Sequence, residues 1–209
     1  DTWRATNVID APEVRYHHSV VWTGSEMIVW GGYNSTSTWL NTGGRYDPVA
    51  DTWSATDTTD GDTPGRRYQH SAVWTGTEMI IWGGYWGGWY LNTGSRYNPV
   101  TNSWDLVDAS TPYTPAGRNL HTAVWNGQTM FIWGGYNGAV LAPDVYSYDP
   151  SGVGWEHLLV TSGTPPEGRL DHCSVWTGSE MIIWGGYNGS TVLGDGCRLK
   201  IPEGCWSGM

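Results

Sequence analysis

Four Arg-x-x-His quartets recur in this 209-residue chain: Arg15 with His18, Arg67 with His70, Arg118 with His121 and Arg169 with His172. A guanidinium offers a planar fork of donors that matches a carboxylate or sulfate, and an imidazole exchanges protons near neutral pH. Gathered around one axis, the four arginines would grip an anion. The same residues also suit a structural duty, in which each Arg pairs with an acid or carbonyl of the neighbouring repeat and each His donates a hydrogen bond in the interior. Recurrence in every copy favours that duty, because a binding site needs one asymmetric arrangement. Zinc fits poorly: one His per copy would converge on tetrahedral geometry only in a very tight channel, and the usual Cys or carboxylate companions at metal spacing are missing. No metal or other cofactor is expected.

The second set is aromatic. Trp39, Trp86, Trp89 and Tyr90 sit among Gly, Ser, Thr and Asn in segments that differ between copies: Asn34 to Trp39, Trp86 to Tyr90, Asn137 to Val140 and Asn188 to Thr191. Variation on a constant scaffold is how loops carry function. Indole and phenol rings stack on a sugar or a peptide while small polar groups supply hydrogen bonds; the competing role is to cover apolar edges. Trp39 and Trp89 each come just before a Leu (Leu40 and Leu91), which places their loops in register on neighbouring copies.

A repeat positions these groups. Trp53, Trp104, Trp155 and Trp206 are spaced 51 residues apart, and each copy carries an Arg-x-x-His opening, an apolar run, a turn, a second run ending Trp-Gly-Gly-Tyr, a polar loop, and a closing Trp. The Gly pairs are Gly31-Gly32, Gly83-Gly84, Gly134-Gly135 and Gly185-Gly186. Such self-similarity signals an array, in which length counts units rather than domains. The composition of 30 Gly and 16 Trp against one Phe follows the same beat. Only Trp39, Trp86 and Trp89 fall outside it.

The net charge is −10, which repels phosphate backbones and argues against nucleic acid as a partner. No apolar run is long enough for a membrane span, and no basic-then-apolar leader opens the chain. Three cysteines make no disulfide framework, although Cys197 and Cys205 flank the last closing hairpin and could pair.

Each unit holds four candidate strands. His70 to Trp74 and Glu78 to Trp82 are rich in β-branched and aromatic residues and are joined by Thr-Gly turn chemistry. A third strand surrounds Tyr97 and a fourth carries Trp104, with Asn98-Pro99 breaking the ladder between them. Helical periodicity is absent. The expected fold is all-β, a β-propeller of four-stranded antiparallel blades.

The Gly-Gly doublet after the second run, followed by a Tyr and a Trp seven residues apart, resembles the kelch repeat over essentially the whole chain. The wording Trp176 to Gly186 resembles bacterial, secreted kelch proteins in particular, which implies an extracytoplasmic location. In kelch substrate adaptors, arginines near the place of Arg15, Arg67, Arg118 and Arg169 are similar to a ligand-gripping set. The last copy departs from the pattern, with Leu199 for the Tyr and Lys200-Ile201 for Asp-Pro, as a terminal repeat does. Residues 1–209 read as one propeller region with repeats at approximately 15–53, 67–104, 118–155 and 169–206. Residues 1–14, with Trp3, read as the closing strand of a preceding blade plus a linker. Kelch propellers resemble six- or seven-bladed discs of roughly 300 residues or more, so the array reads as part of a larger propeller, with a closed four-bladed ring as the alternative.

The resemblance implies a non-catalytic module that binds or scaffolds a protein partner through one loop face. A carbohydrate-binding or carbohydrate-acting propeller is the competing class, and a structural repeat region of a longer secreted protein is the third. Catalysis has little to stand on: Cys173 beside His172 matches no second element of a copper set, and Asp60 and Asp62 read as turn formers.

Overall fold

The computed structural model describes residues 1–36, 38–152, 154–160 and 163–201. Blade 1 is the sheet β1 (Ser19–Trp22), β2 (Met27–Trp30), β3 (Gly43–Asp47) and β4 (Thr52–Ala55), paired in that order. Blade 2 is β5 (Ser71–Trp74), β6 (Met79–Trp82), β9 (Gly94–Asn98) and β10 (Ser103–Val107). A small separate hairpin, β7 (Tyr85–Trp86) and β8 (Trp89–Tyr90), is inserted after β6. Blade 3 is β11 (Thr122–Trp125), β12 (Met130–Trp133), β13 (Val145–Asp149) and β14 (Gly154–Leu158). Blade 4 contains β15 (Cys173–Trp176), β16 (Glu180–Trp184) and β17 (Gly196–Lys200) among the described residues. Trp206 and Cys205, expected in its closing strand and opposite Cys197, lie outside them. Every pairing is antiparallel, and the described residues contain no helix.

The first hairpins of blades 1, 2 and 4 close as the Thr-Gly wording predicts, and Asn126-Gly127 plays the same part in blade 3. Thr23 N–H donates to Glu26 O at 2.9 Å, Thr23 Oγ1 accepts from Glu26 N–H, and Gly24 takes a φ of 105° that suits glycine. The second strands read Met-Ile-Val-Trp, Met-Ile-Ile-Trp and Met-Phe-Ile-Trp without polar alternation because both their faces are covered. Ile80 and Trp82 of β6 face forward and pack with Met130, Ile132, Tyr148 and Trp155 of blade 3. Met79 and Ile81, one residue out of step, face back onto Ile28 and Trp30 of blade 1. The core is therefore a series of blade-to-blade seams, and the strand period of two sends one set of side chains to each seam.

The closing tryptophans belong to these seams. Trp104 lies 5.4 Å from Trp30 and Trp155 lies 5.0 Å from Trp82, ring centre to ring centre. Two are anchored through their indoles, Trp104 Nε1 donating to Asp57 O and Trp53 Nε1 to Asn7 O, whereas the buried Trp155 Nε1 has no partner among the described residues. Trp3 lies in no strand and is fully exposed. Further along, Asn7 lies against blade 1, its N–H donating to Asp51 Oδ1 and its carbonyl accepting from Trp53 Nε1.

Candidate functional site

The arginine of each opening is tied into its own blade, not into the neighbour. Arg67 is fully buried; its Nη1 donates to Gly83 O at 3.0 Å and Thr93 O at 2.6 Å, and its Nε to Gly65 O. Arg118 and Arg169 repeat the bond to Gly134 O and Gly185 O and add ion pairs to Asp144 at 2.8 Å and Asp195 at 2.7 Å. Arg15 does the same with Gly31 O and Thr42 O while half-buried. These forks clamp the first strand to the Gly pair and the following loop. Burial alone lowers the Arg67 guanidinium to about 10, which leaves it charged at neutral pH. The structure does not bring the four guanidinium groups together.

The axis is lined instead by the residues beside them. His17, Gln69, Leu120 and Asp171, with His18, His70, His121 and His172 behind, surround an open channel of about 200 Å³. The first four hold left-handed φ angles of 54° to 56°. Their amides form a staircase: Gln69 N–H donates to His17 O, Leu120 N–H to Gln69 O, and Asp171 N–H to Leu120 O, at 3.1 to 3.3 Å. The histidines do not face the channel as free ligands. His70 Nε2 shares a 2.8 Å hydrogen bond with Ser19 Oγ of the preceding blade, His121 with Ser71, and His172 with Thr122. Each ring also packs edge-on against the preceding blade's second-strand Trp, with centres 4.8 to 5.4 Å apart. Burial pushes His70 down to about 3 and His172 to about 4, and holds His121 well below its ordinary range, so all three are neutral at pH 7.

The Gly pair explains how the seam closes. A Cβ on Gly83 would lie 2.6 Å from His121 Cε1, and Gly83 itself sits at φ 71°. Only glycine gives both the left-handed turn and the room for the next blade's imidazole.

Around the channel mouth the rings form a continuous belt. Tyr16 contacts Tyr33 (5.4 Å), Tyr33 contacts Tyr68 (5.7 Å), Tyr68 contacts Tyr85 (5.8 Å), Tyr85 contacts Tyr90 (5.0 Å), and Tyr90 contacts Tyr136 (5.4 Å). Trp39 joins at Tyr33, 5.9 Å away. The belt crosses three blades. Two members, Trp39 and Tyr90, came from the loop comparison. The other five, Tyr16, Tyr33, Tyr68, Tyr85 and Tyr136, were visible as Arg-Tyr and Gly-Gly-Tyr markers, and their regularity hid them as surface. Bridges Tyr33↔Trp39 and Tyr85↔Tyr90 show that Trp39 corresponds to Tyr90 rather than to Trp89. Trp86 and Trp89 instead face each other across a two-glycine turn and stand out from the belt, 44% and 69% exposed. Burial raises the Tyr68 and Tyr90 phenols, so they remain hydrogen-bond donors at neutral pH. The arrangement offers apolar ring surface edged with hydroxyls, suited to stacking and hydrogen bonding.

Seams of this kind, repeated blade by blade around one axis with variable loops at one end, define a repeat β-propeller. A model of the KLHDC2/KLHL20/DRC7 Kelch-repeats domain matches residues 1–186 and 96–209, so the chain belongs to the kelch-repeat family. It is 31% identical over 191 residues to Kelch domain-containing protein 3 of Bos taurus and of Homo sapiens, covering 85% of this chain and 48% of each relative. To Kelch domain-containing protein 10 of Rattus norvegicus it is 34% identical over 132 residues, 60% of this chain and 31% of that protein. The chain thus spans about half the length, or less, of the curated relatives it matches. Those relatives are mammalian and give no support to a specifically bacterial, secreted type.

Proposed function

We propose that this propeller is a non-catalytic module that binds a protein partner through the loop face of blades 1 to 3. The supporting observation is the Trp86–Trp89 hairpin, whose two indoles are exposed beside the tyrosine belt. Exposed aromatics clustered on a rigid scaffold are the usual anchors of a recognition surface, whereas lone apolar residues are ordinary surface. Location belongs to the same proposal: an extracytoplasmic setting rests on the wording of the repeat alone. The same indoles lie among Gly, Asn and Thr, which favours carbohydrate as the second reading.

Stacking adds about 0.5 to 1.5 kcal/mol per aromatic pair beyond area burial, so two indoles alone give only millimolar to micromolar affinity. Pull-down of candidate proteins and a glycan array, each run with the parent and with Trp86→Ala/Trp89→Ala, separate the readings. Loss of protein capture by the double variant supports the proposal, and loss of glycan binding supports the second reading. Equal binding by parent and variant removes the hairpin from the site.

A further inference from the structure

Between Tyr33 and Tyr136 the aromatic belt lies over two internal seams, and its polar chemistry is one-sided. Tyr136 Oη donates to Gly138 O at 2.9 Å, but the phenols of Tyr33, Tyr68, Tyr85 and Tyr90 form no hydrogen bond with the described residues. These four rings are half-buried, and their unpaired hydroxyls are open to solvent. The side-chain acceptors around them are already taken. Asn34 Oδ1 serves the amides of Thr36 and Thr38, Gln69 Oε1 serves Asn119, and Asn137 Oδ1 serves Ala139 and Val140. The belt thus presents ring surface with four free hydroxyl donors, which suits a ligand rich in acceptors.

A proline-rich segment has that chemistry. Proline carries no backbone N–H, and the polyproline II helix makes no internal hydrogen bonds, so its carbonyls stand bare along an apolar rod that is ordered before it binds. The relief of the belt fits such a rod. Tyr68 and Tyr85 meet at 88°, Tyr85 and Tyr90 at 70°, and Tyr90 and Tyr136 at 87°, so ring edges alternate with ring faces. With neighbouring centres 5.0 to 5.8 Å apart, alternate rings lie no more than about 11 Å apart, and one turn of polyproline II advances about 9 Å. Charge narrows the occupant further. The twenty Asp and Glu outnumber the ten Lys and Arg; Arg67 and Arg118 are spent in their own blades, and Arg45 and Arg96 on Glu26 and Glu78. Arg66, two residues before Tyr68, is exposed and unpaired among the described residues, the exception near the belt. The net field attracts a basic flank and repels an acidic one.

Resting on the reading that a protein partner docks on this loop face, we infer that the docked element is a proline-rich segment in the polyproline II conformation with basic flanking residues. Its prolines lie on the tyrosine rings and its carbonyls accept from Tyr33, Tyr68, Tyr85 and Tyr90. Recognition of this kind uses aromatic-lined grooves because the rod loses little entropy on docking.

Fluorescence anisotropy of a labelled decaproline with an Arg-Arg flank, titrated with the whole chain, tests the inference. Saturable binding in the micromolar range is expected, several-fold weaker with a Glu-Glu flank and absent for an Ala-Ser-Gly peptide of the same length with the Arg-Arg flank. Tyr68→Phe/Tyr85→Phe keeps both rings and removes two donors; binding is expected to weaken on the order of tenfold, the worth of two hydrogen bonds, at an unchanged melting temperature. Tyr33→Phe repeats the deletion should that pair fail to fold. Equal binding of the proline and Ala-Ser-Gly peptides, tighter binding of the Glu-flanked peptide, or unchanged binding by the Phe variants overturns the inference. A parent that captures a partner protein through Trp86 and Trp89 yet binds no proline peptide overturns it while leaving the protein-binding reading in place, and binding of glycans alone overturns both.

Discussion

Trp30, Trp82, Trp133 and Trp184 occupy one position of the repeat, yet their burial is set by what lies in front of them. Trp82 is 0% exposed, seated between His121 and Trp155, while Trp184 is 61% exposed. Identical residues at equivalent sites therefore separate the effect of burial from that of local sequence. Trp82→Ala is expected to cost about 3 to 5 kcal/mol through lost transfer energy and a cavity. In the monomer, Trp184→Ala is expected to stay within about 0.5 kcal/mol of the parent, as exposed substitutions do. Chemical denaturation of dilute protein measures both. A Trp82→Ala variant as stable as the parent would remove β6 from the seam.

At the scale of the element, the strands were legible because four copies voted on each boundary, and the Thr-Gly and Asn-Pro punctuation fell where the chain turns. The loop hairpin was not, because only its base recurs, Tyr85↔Tyr90 matching the bridges Tyr33↔Trp39, Tyr136↔Leu141 and Tyr187↔Val192, while the Trp86↔Trp89 pair has no counterpart among the described residues. Its signal is the Gly87-Gly88 pair between matched aromatics, at φ 58° and 97°, the left-handed turn that a two-residue hairpin needs. A Cβ at either glycine would meet nothing within 4 Å, so substitution strains the turn without disturbing packing. Gly88→Ala is thus expected to weaken partner binding several-fold while the melting temperature stays within a degree or two. A large fall in melting temperature would show that the hairpin supports the blade rather than presenting Trp86 and Trp89. The arginines teach the converse lesson. Their spacing revealed a recurring site, but burial and the reach of the fork to Gly83 O and Thr93 O depend on the fold, which the spacing alone does not specify.

Across the whole molecule, three seams each bury a neutral imidazole, and this couples stability to pH through every blade at once. His70, His121 and His172 have folded-state pKa values below their unfolded values near 6.5. Above that pH the imidazole is neutral in both states and the seam is at full strength. Below it the unfolded chain takes up a proton that the folded seam refuses, so stability falls on acidification until the folded form is protonated, near 4 for His172 and 3 for His70. At pH 5 the loss is about 2 kcal/mol per seam histidine, since each pH unit is worth about 1.4 kcal/mol per proton. Asp51, Asp57 and Asp108 have depressed pKa values, and their contribution is lost only as pH falls below the ordinary carboxylate range, which leaves pH 5 to 6.5 to the histidines. Denaturant midpoints measured from pH 7 to pH 5 are expected to fall steeply, and His121→Gln to flatten that slope by about a third whatever it does to stability at pH 7. A midpoint independent of pH across this window would mean that the imidazoles are not held neutral in the seams, and the packing of Trp82 on His121 would have to be abandoned with it.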